Sequence, residues 1–178
     1  LGQGEVTAIE RYFLFIGPST KNVGKLLALN TDSDLDNELG IPASDLKTQI
    51  TAARLNGGDR WACLAAPVSA DGEWTVALEK AQQQGFSVEA VVITTPVIDG
   101  VELSQMNDAA VALNNVYGRR SFVMASSAGI SALQPWSQYL TEQKAITADV
   151  AAPRVLWWYR SCMVTIWACW PVVWPMRR

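Results

Sequence analysis

The chain has 178 residues, 49% hydrophobic and 17% charged, with a net charge of −3 and a mean hydropathy of +0.10. That is enough for one domain with a core; it excludes a disordered or collagen-like chain and argues against general nucleic-acid binding. Histidine is absent, which removes the Ser-His-Asp triad, the Cys-His dyad, the HExxH zinc site and any imidazole acid or base.

In chain order, residues 8–16 form an apolar run that stops at Gly17-Pro18 and predicts a buried strand. A short second strand is predicted over 25–30. Ser33 precedes a short acidic helix, 34–39, closed by Gly40. Ser44 caps a second helix over 45–55, with Leu46, Ile50 and Ala53 on one face and Asn56-Gly57-Gly58 as its stop. A strand over 60–66 is expected to end at Pro67. A helix over 73–84 carries Trp74, Ala77, Leu78 and Ala81 at helical spacing and ends at Gly85.

Residues 87–95, with Val91-Val92-Ile93, predict another buried strand. The clearest helix is 101–117, where Leu103, Met106, Ala110, Leu113 and Val116 make one stripe and Gly118 terminates it. A strand over 121–127 follows, then a helix opened by Pro135 and running to about Thr147. Val155 begins the next strand. Short apolar strands alternating with amphipathic helices predict an α/β fold around a mainly parallel sheet covered on both faces.

The tail differs from the rest. Residues 1–153 hold all 17 acidic residues and ten of the 14 Lys and Arg, whereas Arg154 to Arg178 has four arginines and no acid. Five of the eight tryptophans fall at 157, 158, 167, 170 and 174. Val155 to Pro175 has the length of a bilayer crossing, but tryptophan is an interfacial residue and here it is scattered throughout. An odd amphipathic element is a further reading. A frame error explains the segment better. Trp and Met have single codons, and Tyr and Cys have two each. Read from the last base of the Leu156 codon, taken as G, the string gives Val-Val-Val, then Pro or Ser, two mostly aliphatic residues, His or Tyr, and Gly. An Asn/Asp-compatible pair and a small-residue run follow, and no stop codon is forced. That product has strand-turn-helix grammar; the tail as written has none. The expected organisation is an α/β domain over 6–153 and a Trp-rich frameshift product over 154–178.

Each motif also has an ordinary reading. Gly17 to Leu26 contains Gly24-Lys25 after a strand, like a phosphate loop, but six residues separate the glycines, Leu26 replaces the magnesium-binding hydroxyl, and a strand follows. Asp32, Asp34, Asp36 and Glu38 lack the spacing of a calcium loop and suit a helix N-terminus. Ser126-Ser127-Ala128-Gly129 resembles a nucleophile elbow without its first glycine or an activating base. Cys63 reads as a buried small hydrophobe, and with Cys162 and Cys169 it makes no disulfide framework in a chain this long. Arg119-Arg120 suits a helix end, with an interface role as the lesser reading. Asp99, Glu102 and Asp108 flank a strand-to-helix junction, where parallel sheets place binding sites, but nothing pairs with them to name a reaction. No catalytic, cofactor or metal residue is nominated.

Three blocks carry a family resemblance: Val6 to Gly17 (VTAIERYFLFIG), Leu46 to Gly58 (LKTQITAARLNGG) and Tyr117 to Met124 (YGRRSFVM). Over about 6–153 the chain resembles the tail sheath-like proteins of contractile bacteriophages and prophages, in a branch often labelled a domain of unknown function. The resemblance implies a structural virion protein, not an enzyme and without cofactor, that self-assembles as hexameric rings around an inner tail tube. Its implied partners are copies of itself, the tube and baseplate proteins, with no nucleic acid, and with a membrane only if the C-terminal tail is genuine. Its implied location is the virion tail, after assembly in the host cytoplasm. Extended N- and C-terminal arms that add strands to neighbouring sheets link subunits in the family. The chain starts almost at its first strand and ends in the aberrant tail, so it is expected to polymerise poorly. The family also continues past Val155 with a Val-Pro and a His/Tyr-Gly turn, as the alternate frame does. Two alternatives stand beside this: an α/β nucleotide-binding or enzyme domain without identifiable catalytic residues, and a tail-anchored membrane protein using 155–175.

Overall fold

A computed structural model describes residues 12–158 apart from 60, 70–73 and 87. The elements alternate as expected: β1 (Tyr12–Pro18), β2 (Leu27–Asn30), α1 (Leu35–Leu39), α2 (Asp45–Gly57), β3 (Ala62–Val68), α3 (Trp74–Gln83), β4 (Val88–Val97), α4 (Gly100–Tyr117), β5 (Phe122–Ser127), α5 (Trp136–Thr147) and β6 (Val155–Trp158). Six strands form one sheet in the order β2-β3-β1-β4-β5-β6. All neighbours are parallel except β2, which runs antiparallel along the edge of β3. The fold is therefore α/β with a mostly parallel sheet.

The period of two along each strand divides the core between the faces. Leu14 and Ile16 point to the side of Trp74, Leu78, Leu103, Met106 and Leu113, which come from α3 and α4. Phe15 points the other way, to Leu35, Leu39, Leu46, Ile50 and Ala53 of α1 and α2. Ile146 of α5 and Val150 just after it pack on the α3–α4 side. Each of these large side chains contributes about 1.5–3 kcal/mol by leaving water. Both faces of the central strands are thus covered, which is why β1, β3 and β4 read as continuous apolar runs rather than alternating ones.

The differences from expectation have local causes. Pro67 lies inside β3. The Pro67 carbonyl accepts from the Gly24 N–H at 2.8 Å on the side where β2, whose pairing stops at Ala65, has already ended. The missing proline N–H faces that same side, so no ladder bond is lost. The cap of α1 is Asp34, which accepts from the N–H groups of Asp36 and Asn37, while Ser33 Oγ accepts from the Asn30 N–H in the preceding turn. Val116 is 70% exposed, although Leu103, Met106, Ala110 and Leu113 of the same stripe are buried. It sits in the last turn of α4, close to the left-handed Gly118 cap at φ 65°. Pro135 takes the cap position of α5 rather than its first turn. The predicted strand start at 8–11 and most of the tail lie outside the described residues; Val155–Trp158 forms the outermost strand.

Candidate functional site

In an open parallel sheet a ligand binds at the carboxyl ends of the strands where successive connections leave for opposite faces. Here the chain leaves β1 toward α1 and α2 and leaves β4 toward α4, on the other face. The crevice between β1 and β4 is therefore where a site should form.

The chain fills that crevice itself. Gly17 is buried, and a Cβ built on it would collide with Thr94 Oγ1. Only glycine lets the β4 side chain lie across β1 there. Gln49 of α2, also buried, donates from Nε2 to the Thr94 carbonyl at 3.3 Å. The glycine-containing loop after β1 turns its amides inward. The Ser19 N–H donates to Val68 O at 3.1 Å, the Gly24 N–H to Pro67 O, and the Lys25 N–H to Asn22 O at 3.0 Å. A phosphate cradle needs such amides pointing at the ligand; these are spent on carbonyls. Ser19 Oγ donates to Leu39 O at 2.6 Å, and Asn22, at φ 53°, donates from Nδ2 to Glu38 O at 2.9 Å. The loop is lashed to α1.

Most of the other candidate residues take part in the fold. Asp34 caps α1 and Asp99 caps α4, its Oδ1 accepting from the Glu102 N–H at 2.9 Å. Asp36 pairs with Lys47, and the ammonium holds its carboxyl below the ordinary value. Asp108 lies exposed beyond the first turns of α4. Among the described residues, no group of three or more acidic, Cys or His side chains could hold a metal ion. Ser127 Oγ and the Tyr139 hydroxyl share a hydrogen bond of 2.8 Å, and that hydroxyl also donates to Ala128 O at 2.9 Å, tying α5 to the end of β5. Cys63 is buried, and desolvation pushes its thiol up to about 12. That keeps it protonated and unreactive. Arg119 caps α3 rather than its own helix: its guanidinium donates to the Phe86 carbonyl, to Gln82 Oε1 at 2.6 Å and to Gly85 O at 3.2 Å.

A shallow cleft of about 200 Å³ lies between the 23–26 loop, the end of β3 and α3, lined by Val23, Leu26, Val68, Val76 and Lys80. Lys80 Nζ donates to Gly24 O at 2.7 Å. Small-molecule sites run from roughly 300 to 1,000 Å³; this cleft is smaller. Among the described residues no helix is long and apolar enough to cross a membrane, and 159–175 lies outside them.

What the motif search missed is on the outside. Ile98, Val101, Leu133 and Trp136 are exposed at the carboxyl ends of β4 and β5. For Leu133 and Trp136 the sequence carries a sign, since Ser121 to Thr141 contains no charged residue; Ile98 and Val101 flank Asp99 and Glu102 and have none.

Comparison with known proteins gives two findings. The N-terminal domain of the DUF2586 family matches residues 1–158. A protein of Haemophilus phage HP1 (strain HP1c1), named "Putative tail sheath protein", is 37% identical over 82% of this chain. The matched region is 41% of that relative, so the chain spans about two fifths of its length.

Proposed function

Because the chain belongs to the DUF2586 family, we propose that it is the N-terminal part of a phage tail sheath subunit. It is a structural protein that acts by contact with copies of itself and with the tail tube and baseplate. The observation that carries this is the 37% identity to the HP1 relative over most of the chain. The filled crevice supports it. At the place where this sheet would hold a substrate, Gly17, Thr94 and Gln49 occupy the space, and the loop amides bond to the chain's own carbonyls. Such a domain contributes shape and stiffness rather than turnover. Its place is the virion tail.

We further propose that the sheath-like domain spans 6–153 and that 154–178 is the product of a frame error falling at the start of β6. The family match stops at residue 158, where the Trp-rich segment begins in earnest. In the alternate frame the two tryptophans of β6 become valines, which suit a strand equally well.

Electron microscopy of the complete gene product tests the function. Tubes with a regular axial repeat are expected. A monomer at all concentrations that turns over a small substrate, or that melts several degrees higher with a common nucleotide, overturns the reading. The nucleotide sequence around codons 150–160 tests the frame error.

A further inference from the structure

Of the seven asparagines in the chain, Asn56 alone is followed by glycine. Asparagine is among the thermolabile residues. In Asn-Gly the next backbone nitrogen reaches the side-chain carbonyl carbon most easily, because glycine has no Cβ to obstruct the approach. The fold itself demands this pair. A Cβ built on Gly57 would collide with the Trp61 ring, so glycine is required there.

The end of α2 holds the pair in a stretch anchored on both sides and exposed in between. Upstream, Arg54 Nη1 donates to Ser33 O at 2.9 Å. Downstream, Thr31 Oγ1 lies 3.3 Å from Asp59 O and 3.4 Å from Trp61 O. Between these anchors Leu55 to Asp59 are exposed, Leu55 to 80%. Asn56 Nδ2 donates to Ala52 O at 2.8 Å, which folds the amide back along the helix. Gly57 is the last helical residue, so its N–H belongs to the helix ladder while the turn is closed. Helix ends open at little cost, and opening releases both groups at once.

We propose that Asn56 is a site of spontaneous deamidation, gated by opening of the last turn of α2. The Gly57 backbone nitrogen attacks Asn56 Cγ, the Cγ–Nδ2 bond breaks, and ammonia leaves with the proton that the Gly57 nitrogen gives up. Water then opens the cyclic imide at either carbonyl and leaves aspartate or isoaspartate. No oxidant, metal or enzyme takes part. The new carboxylate stands at the carboxyl end of α2, where the helix dipole disfavours it, and close in sequence to Asp59. Isoaspartate also lengthens the backbone by a methylene group next to the Gly57–Trp61 contact. Conversion therefore loosens the end of α2. This chemistry belongs to the domain alone and stands whether or not the subunit assembles.

The test incubates the complete gene product at neutral pH, folded in buffer and unfolded in urea, as wild type, Asn56→Gln and Arg54→Ala. Mass spectrometry of the tryptic fragment that carries Asn56 reads the change from amide to carboxyl, and circular dichroism reads folding. Folded wild type is expected to convert at Asn56 before any other asparagine, roughly tenfold more slowly than in urea. Asn56→Gln is expected to stay intact, because its longer side chain would have to close a larger ring. Arg54→Ala, which frees the turn from Ser33, is expected to bring the folded rate close to the rate in urea. Folded wild type that keeps Asn56 intact while the urea sample converts, or an Asn56→Gln protein that converts as fast, overturns the site. Equal wild-type rates in buffer and urea, or a folded Arg54→Ala that converts no faster than wild type, overturn the gate. Should Arg54→Ala fail to fold, the wild-type comparison decides alone.

Discussion

The β1–β3 half and the β4–β5 half of the same sheet end resolve the same problem in opposite ways. Over β1 and β3, the 19–25 loop folds down, its amides meet the carbonyls of Pro67 and Val68, and its side chains tie to α1. Over β4 and β5, the backbone is braced from below by Tyr139 while apolar side chains stand in water. One half turns its loop amides onto its own carbonyls and seals a crevice. The other leaves apolar side chains unburied among the described residues. An α/β sheet end is thus no more committed to a small-molecule ligand than its loops make it.

This contrast fails first if the sealed half tolerates change. Gly17→Ala puts a methyl group into the space of Thr94 Oγ1 at a fully packed position. A loss of about 2–4 kcal/mol is expected, read by urea denaturation. Combining it with Thr94→Ala should recover part of that loss, because the two sites are in contact. Next in size is Tyr139→Phe, which removes the tie between α5 and the end of β5 beneath the apolar half. A cost of about 1–2 kcal/mol is expected by the same measurement.

A pH titration probes the link between α1 and α2. Lys47 holds the Asp36 carboxyl below its ordinary value. A depressed carboxylate contributes stability above its unfolded pKa and loses it as pH falls through the folded one. The difference between wild type and Asp36→Asn should therefore be present at neutral pH, shrink in acid and shrink in high salt. It should be smaller than either effect above, because the Asp36 carboxylate is solvent-exposed. The smallest effect bears on the open half: Leu133→Ser should leave thermal stability within about 0.5 kcal/mol of wild type, since the side chain is almost wholly in solvent. A marked loss of monomer stability would mean that Leu133 packs within its own chain.

Most of the element order was legible because periodicity and punctuation agreed. Gly118 stops α4 in the left-handed conformation its position requires, and Ser44 caps α2 through a bond to the Lys47 N–H. What was not legible depends on distant partners. Nothing in Leu27–Asn30 says that it runs antiparallel, since four residues carry no direction. The strand character of Pro67 depends on where β2 stops. Arg119 follows its own helix in sequence but serves α3, thirty-odd residues away. The candidate site shows the same divide. Gly17 to Leu26 could be dismissed as a phosphate loop by spacing alone, but the Gly17–Thr94 contact that seals the crevice joins two elements the sequence does not connect. The uncharged run from Ser121 to Thr141 was visible, but which of its residues face outward required the fold.

The plug formed by Thr94 and Gln49 has a thermodynamic corollary. A protein that borrows stability from a dissociable ligand surrenders it on dilution, by mass action. Here the occupant of the crevice is part of the polypeptide, present at an effective concentration that no change of surroundings can lower. A domain closed in this way keeps the same rigidity in a metabolite-rich cell and in the dilute medium outside it.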